Sequence, residues 1–265
     1  MQTTEFKRPK NLADAAKLAA ADGEARLLAG GQTMLPSMRL GLLAPSALID
    51  LAAIADLRGI KADAKQLAIG AMTRHAEVAA SEDVRKRIPS LACLAAGIGD
   101  RQVRNAGTLG GSLANSDPAA DYPAAVLALG ATVVTNSRKI AADDYFKGLF
   151  ATALKAGEVI TSVSFAVPDQ SGYAKFKQPA SHFALVGVYV ARFGKEVRVA
   201  VTGAGPCAFR ATALEKALTA RFAPESCDGV AIAASGLNGD LHASAEYRAH
   251  LIPRLAREAV RQAAG

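Results

Sequence analysis

A chain of 265 residues can bury a core in one large domain or two modest ones, with two expected, and its 51% hydrophobic and 21% charged residues describe a folded protein, not a disordered one. Its formal charge of +7 is scattered, with no basic run interleaved with aromatics, which argues against a nucleic-acid groove. No apolar run reaches the roughly 18 residues that cross a bilayer, and Met1 to Lys10 lacks the apolar core of a signal peptide, so the expected compartment is the cytoplasm.

The first fifty residues read as a βαβ-like unit. A polar start leads to a helix over Asn11 to Ala21, stopped by Gly23, and a short strand at Arg26 to Ala29. After Gly30-Gly31-Gln32-Thr33 come a short helix from Met34 to Leu40 and a strand at Ala47 to Leu51, an alternation that predicts a small mixed α/β sheet. From Leu57 a second unit begins, with a strand near Gln66 to Ile69, a helix capped by Thr73 with help from Glu77, and a helix started by Pro89 and running to about Gly99. The stretch from Gly99 to Pro118 mixes polar side chains with glycines and has no period long enough for an ordinary core element, as a ligand-binding segment would. A helix at Ala119 to Leu129 follows, then strands at Ala131 to Thr135 and Val159 to Val167.

Pro168, Asp169, Ser171 and Gly172 cluster turn formers, which sets a boundary near 170. The expected units are 1–170, with lobes of about 1–55 and 56–170, and 171–265. The second opens with a strand at Tyr173 to Gln178 and a hairpin of Ala184 to Phe193 and Glu196 to Thr202 across Gly194-Lys195. Helices are predicted at Arg210 to Ala220, Cys227 to Ala234 and Ser244 to Ala263.

Cys93, Cys207 and Cys227 are far apart and form no Cys-x-x-Cys, so they read as three reduced, mostly buried thiols. His75, His182, His242 and His250 lack partners at ligand spacing, and no metal is expected on this chain. There is no Ser-His-Asp or Cys-His arrangement, so no catalytic acid, base or nucleophile is assigned.

Two segments carry the chemistry. A loop of small residues between strand and helix can turn its N–H groups inward and cradle phosphate oxygens. Ala29-Gly30-Gly31-Gln32-Thr33 has that character, with Gln32 and Thr33 as side-chain donors, although a purely structural turn remains an open reading of it. It is neither a P-loop nor a Rossmann fingerprint, because the lysine and the glycine spacing are missing. Thr108-Leu109-Gly110-Gly111-Ser112 is a second such loop, and two of them suit a dinucleotide with two phosphates. Asn115, Asp117 and Asp121 offer polar groups for a ribose hydroxyl or an adenine amine, while Asp117-Pro118-Ala119-Ala120 reads equally well as a helix cap and first turn.

The runs Leu28 to Pro36 and Asp100 to Asp121 resemble the paired FAD signatures of the medium subunits of the xanthine dehydrogenase family, with a pattern like that of the aerobic carbon monoxide dehydrogenase flavoproteins. Lys175-Phe176-Lys177, Phe183 to Val186 and Ser244 to Arg248 extend the likeness across the chain. The resemblance implies an α+β protein: a two-lobed FAD-binding domain of the vanillyl-alcohol-oxidase type, followed by a domain with a three-stranded antiparallel sheet and a helical bundle. It also implies roles. Ala29 to Thr33 and Thr108 to Ser112 would hold the diphosphate, Asp121 would lie in the ribose and adenine region, and Ile98 would lie against the isoalloxazine with Ile160 nearby. Lys177, or else Lys175, matches a lysine near the ring. Phe183 stands where the carbon monoxide dehydrogenase flavoproteins place a tyrosine, which keeps the aromatic packing and removes a hydroxyl.

By the same resemblance, a substrate is hydroxylated at a molybdopterin on a large subunit and electrons cross two [2Fe–2S] clusters on a small subunit. FAD on this chain then passes them to an external acceptor, within a dimer of heterotrimers in the cytoplasm or peripheral to the inner face of the membrane. A quinone, cytochrome or dioxygen is expected as acceptor ahead of NAD. Two rival readings are a self-contained flavin oxidase or reductase of the same fold and an assembly protein that has lost FAD. The first lacks a substrate domain, and the second is disfavoured by the glycines at 30, 31, 110 and 111.

Overall fold

The computed structural model describes residues 3 to 264; Met1, Gln2 and Gly265, at the outer ends of the two expected units, lie outside them. The first lobe consists of β1 (Glu5–Lys7), α1 (Leu12–Ala21), β2 (Arg26–Leu28), α2 (Met34–Arg39) and β3 (Ala47–Asp50). Asn11 starts α1 by accepting the Asp14 N–H at 2.9 Å. The sheet order is β1-β3-β2 and both pairings are parallel, so the mixed sheet expected here is a parallel one. Central β3 is buried along its length, and its Ile49 packs with Ala15 of α1. Met72 and Val159 of the second lobe join the same cluster, so the lobes share a core.

The second lobe runs through β4 (Ile60–Ala62), β5 (Gln66–Gly70), α3 (His75–Ala80), α4 (Glu82–Arg87), α5 (Pro89–Ala96), α6 (Arg101–Ala106), α7 (Leu109–Asn115), α8 (Tyr122–Ala128), β6 (Thr132–Thr135), β7 (Lys139–Ala141), α9 (Ala142–Tyr145), β8 (Phe146–Gly148), β9 (Ala151–Thr152) and β10 (Ile160–Ala166). Its sheet is antiparallel in the order β4-β5-β10-β6-β7. Thr73 is not the cap of α3. That position falls to Arg74, whose N–H donates to Glu77 at 2.7 Å, while the Thr73 hydroxyl bonds the backbone of Gly59. The stretch read as aperiodic folds into α6 and α7. Each is too short for a period to show, yet Asp100 and Thr108 cap them by accepting the N–H three residues on.

The remainder forms β11 (Gln170–Lys177), β12 (Ala184–Phe193), β13 (Glu196–Thr202), β14 (Phe209–Arg210), α10 (Thr212–Ala220) and α11 (Ala245–Ala264). The three expected antiparallel strands are joined by the two-residue β14, in the order β11-β12-β13-β14. The helix expected at Cys227 to Ala234 does not form. Gly229 has φ +75°, which breaks a helical path, and only a 3-10 turn over Pro224–Cys227 appears. Cys227 is buried, Cys207 is half-buried and Cys93 is exposed, which corrects the expectation that most of the thiols are inside.

Strand β12 is covered on both faces. Tyr189 and Ala191 join the second lobe's core, and Val186, Val188 and Val190 pack with α10 and α11. In α11, Leu251, Ile252, Ala256, Ala259 and Val260 recur at helical spacing on the buried face. Each large aliphatic side chain there contributes about 1.5–3 kcal/mol by leaving water. The helix lies so close to β11 that a Cβ on Gly172 would meet the Ala259 carbonyl at 1.9 Å. Ser90 of α5 bonds Ser171 (Oγ to Oγ, 2.6 Å) and the Tyr189 hydroxyl, tying the second lobe to this sheet.

Candidate functional site

Between β2 and α2 the chain turns through Gly31 at φ +70°, a conformation that costs glycine nothing. Gly30 abuts the second lobe: a Cβ there would stand 2.2 Å from the Ala106 carbonyl oxygen. Among the described residues, the N–H groups of Gly30, Gly31, Gln32 and Thr33 donate to no acceptor of the chain, and Gln32 and Thr33 are exposed. Consecutive donors without an internal acceptor suit a phosphate.

The second glycine segment is built differently from the loop expected. Thr108 caps α7 and its Oγ1 accepts the Gly111 N–H at 3.1 Å; Leu109 N–H donates to the Thr73 carbonyl at 3.1 Å and Gly110 N–H to the Ala71 carbonyl at 2.8 Å. Three amides of the first turn are therefore spent inside the protein, and the segment is a helix start anchored to the sheet. Gly110 is buried, and a Cβ on it would meet Ala71 at 2.6 Å. Gly111 is half-buried and faces Ala29, whose Cβ would lie 3.3 Å from a Cβ on Gly111. Ser112 and Asn115, three residues apart and therefore on one face of α7, are half-buried. The structure thus brings the two glycine segments together, Gly30 against Ala106 and Gly107 and Gly111 against Ala29, with Gly107 as a contact that spacing alone did not single out.

A second cluster lies along β11. Tyr173 and Lys175 alternate onto one face of the strand, where the Tyr173 hydroxyl donates to Asp121 and Lys175 Nζ stands 2.8 Å from the same Oδ1. The turn before Asp121 is held by the sheet: the single Thr202 hydroxyl proton is shared between Pro118 O at 2.8 Å and Ala120 O at 2.6 Å. Burial pushes the Asp121 carboxyl up from its ordinary value, and Lys175 and Tyr173 act against that shift. Both burial and the neighbouring Asp121 push the Tyr173 hydroxyl up, so it stays protonated and donates. Lys175 also donates to Gly97 O and His182 O, each at 3.0 Å.

Ile98 is half-buried in the turn after α5, with its carbonyl bonded by Arg104 at 2.9 Å. Phe183 is 47% exposed and lines a cavity of about 390 Å³ together with Pro118, Ala119, Gln178 and His242. Lys177, the lysine preferred from the sequence, lies beyond a bulge between Phe176 and Lys177 and is exposed, whereas Lys175 is the one drawn inside. Ile160 is 5% exposed within the second lobe's core, next in sequence to Thr161, whose carbonyl accepts the Ala71 N–H. The half-buried Ile98 packs against the same core cluster. No group of three or more His, Cys, Asp or Glu side chains able to hold a metal occurs among the described residues.

Residues 2 to 168 match the family described as the FAD binding domain in molybdopterin dehydrogenase. The chain is 35% identical to the nicotine 6-hydroxylase medium subunit of Paenarthrobacter nicotinovorans, over 97% of this chain and 96% of that one. It is 34% identical to the carbon monoxide dehydrogenase medium chain of Hydrogenophaga pseudoflava, over 98% and 96%. Among solved structures it superposes on a chain of reconstituted CO dehydrogenase from Oligotropha carboxidovorans with a TM-score of 0.91 at 30% identity, covering 98% of this chain and 97% of that one.

Proposed function

The chain belongs to the family of FAD-binding medium subunits of molybdenum hydroxylases, and from that premise we propose which of its residues hold the flavin and what the subunit serves. The observation that carries the site is the meeting of the two glycine segments beside four N–H groups with no acceptor. The amides of Gly30 to Thr33 would hold the diphosphate. The start of α7, with Gly111 and Ser112, would form the facing wall, and Asn115 would extend it. Ile98 and Phe183 would flank the ring. Asp121 is engaged by Tyr173 and Lys175, so it would shape the pocket through them and not as a free ribose ligand.

When bound, FAD accepts electrons singly and passes on one or two. The chain's own contribution is binding, orientation and exclusion of water from the ring. Large and small partner subunits carry the molybdenum cofactor and the iron–sulfur clusters, and the whole assembles as a dimer of heterotrimers. Relatives with similar medium chains include a nicotine hydroxylase and carbon monoxide dehydrogenases, which supports substrate choice lying on the large subunit. The division near 170 into a flavin-binding unit and a C-terminal unit is part of the same proposal. So is a place in the cytoplasm or against the inner face of the membrane, supported by three free thiols. No helix among the described residues is long and apolar enough to cross a membrane.

The test is to purify the chain with its co-expressed partners, release any bound flavin by heat and identify it by mass. Stoichiometric FAD is expected. An intact complex without flavin would overturn the reading.

A further inference from the structure

Lys175 has three N–H donors and three acceptors around them. These are Asp121 Oδ1 at 2.8 Å and the carbonyls of Gly97 and His182, each at 3.0 Å, and only 9% of the side chain is exposed. Its hydrogen-bonding capacity is therefore spent inside the protein. The acceptors lie on three separate pieces of chain: the start of α8, the turn after α5 and the loop before β12. Gly97 precedes Ile98, and His182 precedes Phe183.

Further bonds converge on the same two loops. Arg104 donates to the Ile98 and Gly99 carbonyls at 2.9 and 3.0 Å, and His182 Nδ1 lies 3.3 Å from Gly99 O. Gly99 has φ +47° and His182 has φ +61°, and a non-glycine residue keeps such a conformation only where its surroundings hold it.

We propose that Lys175 is a positioning residue for the flavin ring. Its ion pair with Asp121 clamps the Gly97 to Gly99 turn to the Gln178 to Phe183 loop and so sets the spacing between Ile98 and Phe183. This rests on the reading that those two side chains flank FAD. The ammonium offers no hydrogen bond to the cofactor, and its charge is answered by Asp121 at contact distance, so its influence on the ring runs through the two walls.

The test uses the intact complex and compares wild type, Lys175→Met and the double variant Lys175→Met/Asp121→Asn. For each, the FAD dissociation constant, the visible circular dichroism of the bound flavin and the flavin midpoint potential are measured well below the unfolding temperature. Lys175→Met should weaken FAD binding at least tenfold and change the visible dichroism. The double variant leaves no buried charge alone, so it should fold even where the single one does not, and it should keep the flavin defect. A merely structural lysine would lower the melting temperature and leave dichroism and affinity at wild-type values, and that result overturns the inference while FAD in the wild type still stands. Recovery of the wild-type flavin signature in the double variant also overturns it, since the clamp would then be dispensable. A wild-type complex without FAD removes both this inference and the reading beneath it.

Discussion

A Cβ on Gly30 would stand 2.7 Å from the Cα of Gly107, so the backbones of the two lobes meet there with no side chain between them. The first lobe brings its free N–H groups to that contact, and the second brings the start of α7. Separation of the lobes by even a methyl group would displace the proposed diphosphate cradle.

Gly30→Val is therefore expected to lower stability by roughly 1–3 kcal/mol, as overpacking does, and to yield flavin-free protein. Thermal unfolding and FAD content of the purified complex check it. Full occupancy with an unchanged melting temperature would mean that the contact is not needed.

Gly110 and Gly111 should behave differently although they are neighbours. A Cβ on Gly110 meets Ala71 at 2.6 Å in a buried layer, whereas one on Gly111 meets only Thr108 Oγ1 at 3.0 Å and the Ala29 methyl at 3.3 Å. Gly110→Val should destabilise the fold itself, again by roughly 1–3 kcal/mol. Gly111→Val should fold and lose FAD affinity. Measuring melting temperature and FAD affinity for the pair separates the two effects, and equal stability losses would contradict the assignment.

These contrasts mark how far the sequence could be read. Strands such as β10 and β12 and helices such as α1 and α11 announce themselves by apolar spacing and capping, and the two glycine runs carry a motif that points to FAD. That Lys175 is the buried lysine of the pair and Lys177 the exposed one was not legible, because a bulge between Phe176 and Lys177 changes the register and no residue pattern marks it. Nor was the spending of the Gly110 amide on Ala71, a bond between segments far apart in the chain. The Cys227 to Ala234 helix failed for a local reason that could have been weighed, since Gly229 and Gly236 both adopt positive φ.

Glu158 gives an acid-limited term in stability. Its carboxylate accepts from Arg138 Nε at 2.6 Å, Ser137 Oγ at 2.7 Å and Lys155 N–H at 2.8 Å, and the Arg138 bond is the main reason its carboxyl is held down to about 2. A depressed carboxylate contributes its full stability above the ordinary value of 4.5 and loses it as pH falls through about 2. Glu158→Gln should cost on the order of 1–2 kcal/mol at neutral pH and flatten the stability curve in that acid window. Denaturant titrations from pH 6 downward are the measurement, and an unaltered acid slope would show that the bond set carries no net stability.

His75 acts in a higher window and beneath the glycine junction. A Cβ on Gly107 would come 2.6 Å from its Nε2, its ring lies 5.3 Å from that of Tyr122, and its Nδ1 is buried without a partner among the described residues. Burial, with a smaller contribution from the Arg104 charge, lowers its pKa from 6.5 to about 4, so it is neutral in the folded state at pH 7. Between those two values the unfolded chain binds a proton that the folded one refuses, so stability is whole above 6.5 and falls as pH drops through about 4. The loss should reach on the order of 2–3 kcal/mol. Because the ring supports Gly107, and Gly107 supports Gly30, FAD release should begin in the same window. His75→Gln has no proton to gain, so both the decline in stability and the onset of FAD release between pH 6.5 and 4 should flatten, even if the variant starts from a lower stability. An acid profile identical to wild type would remove His75 as its source.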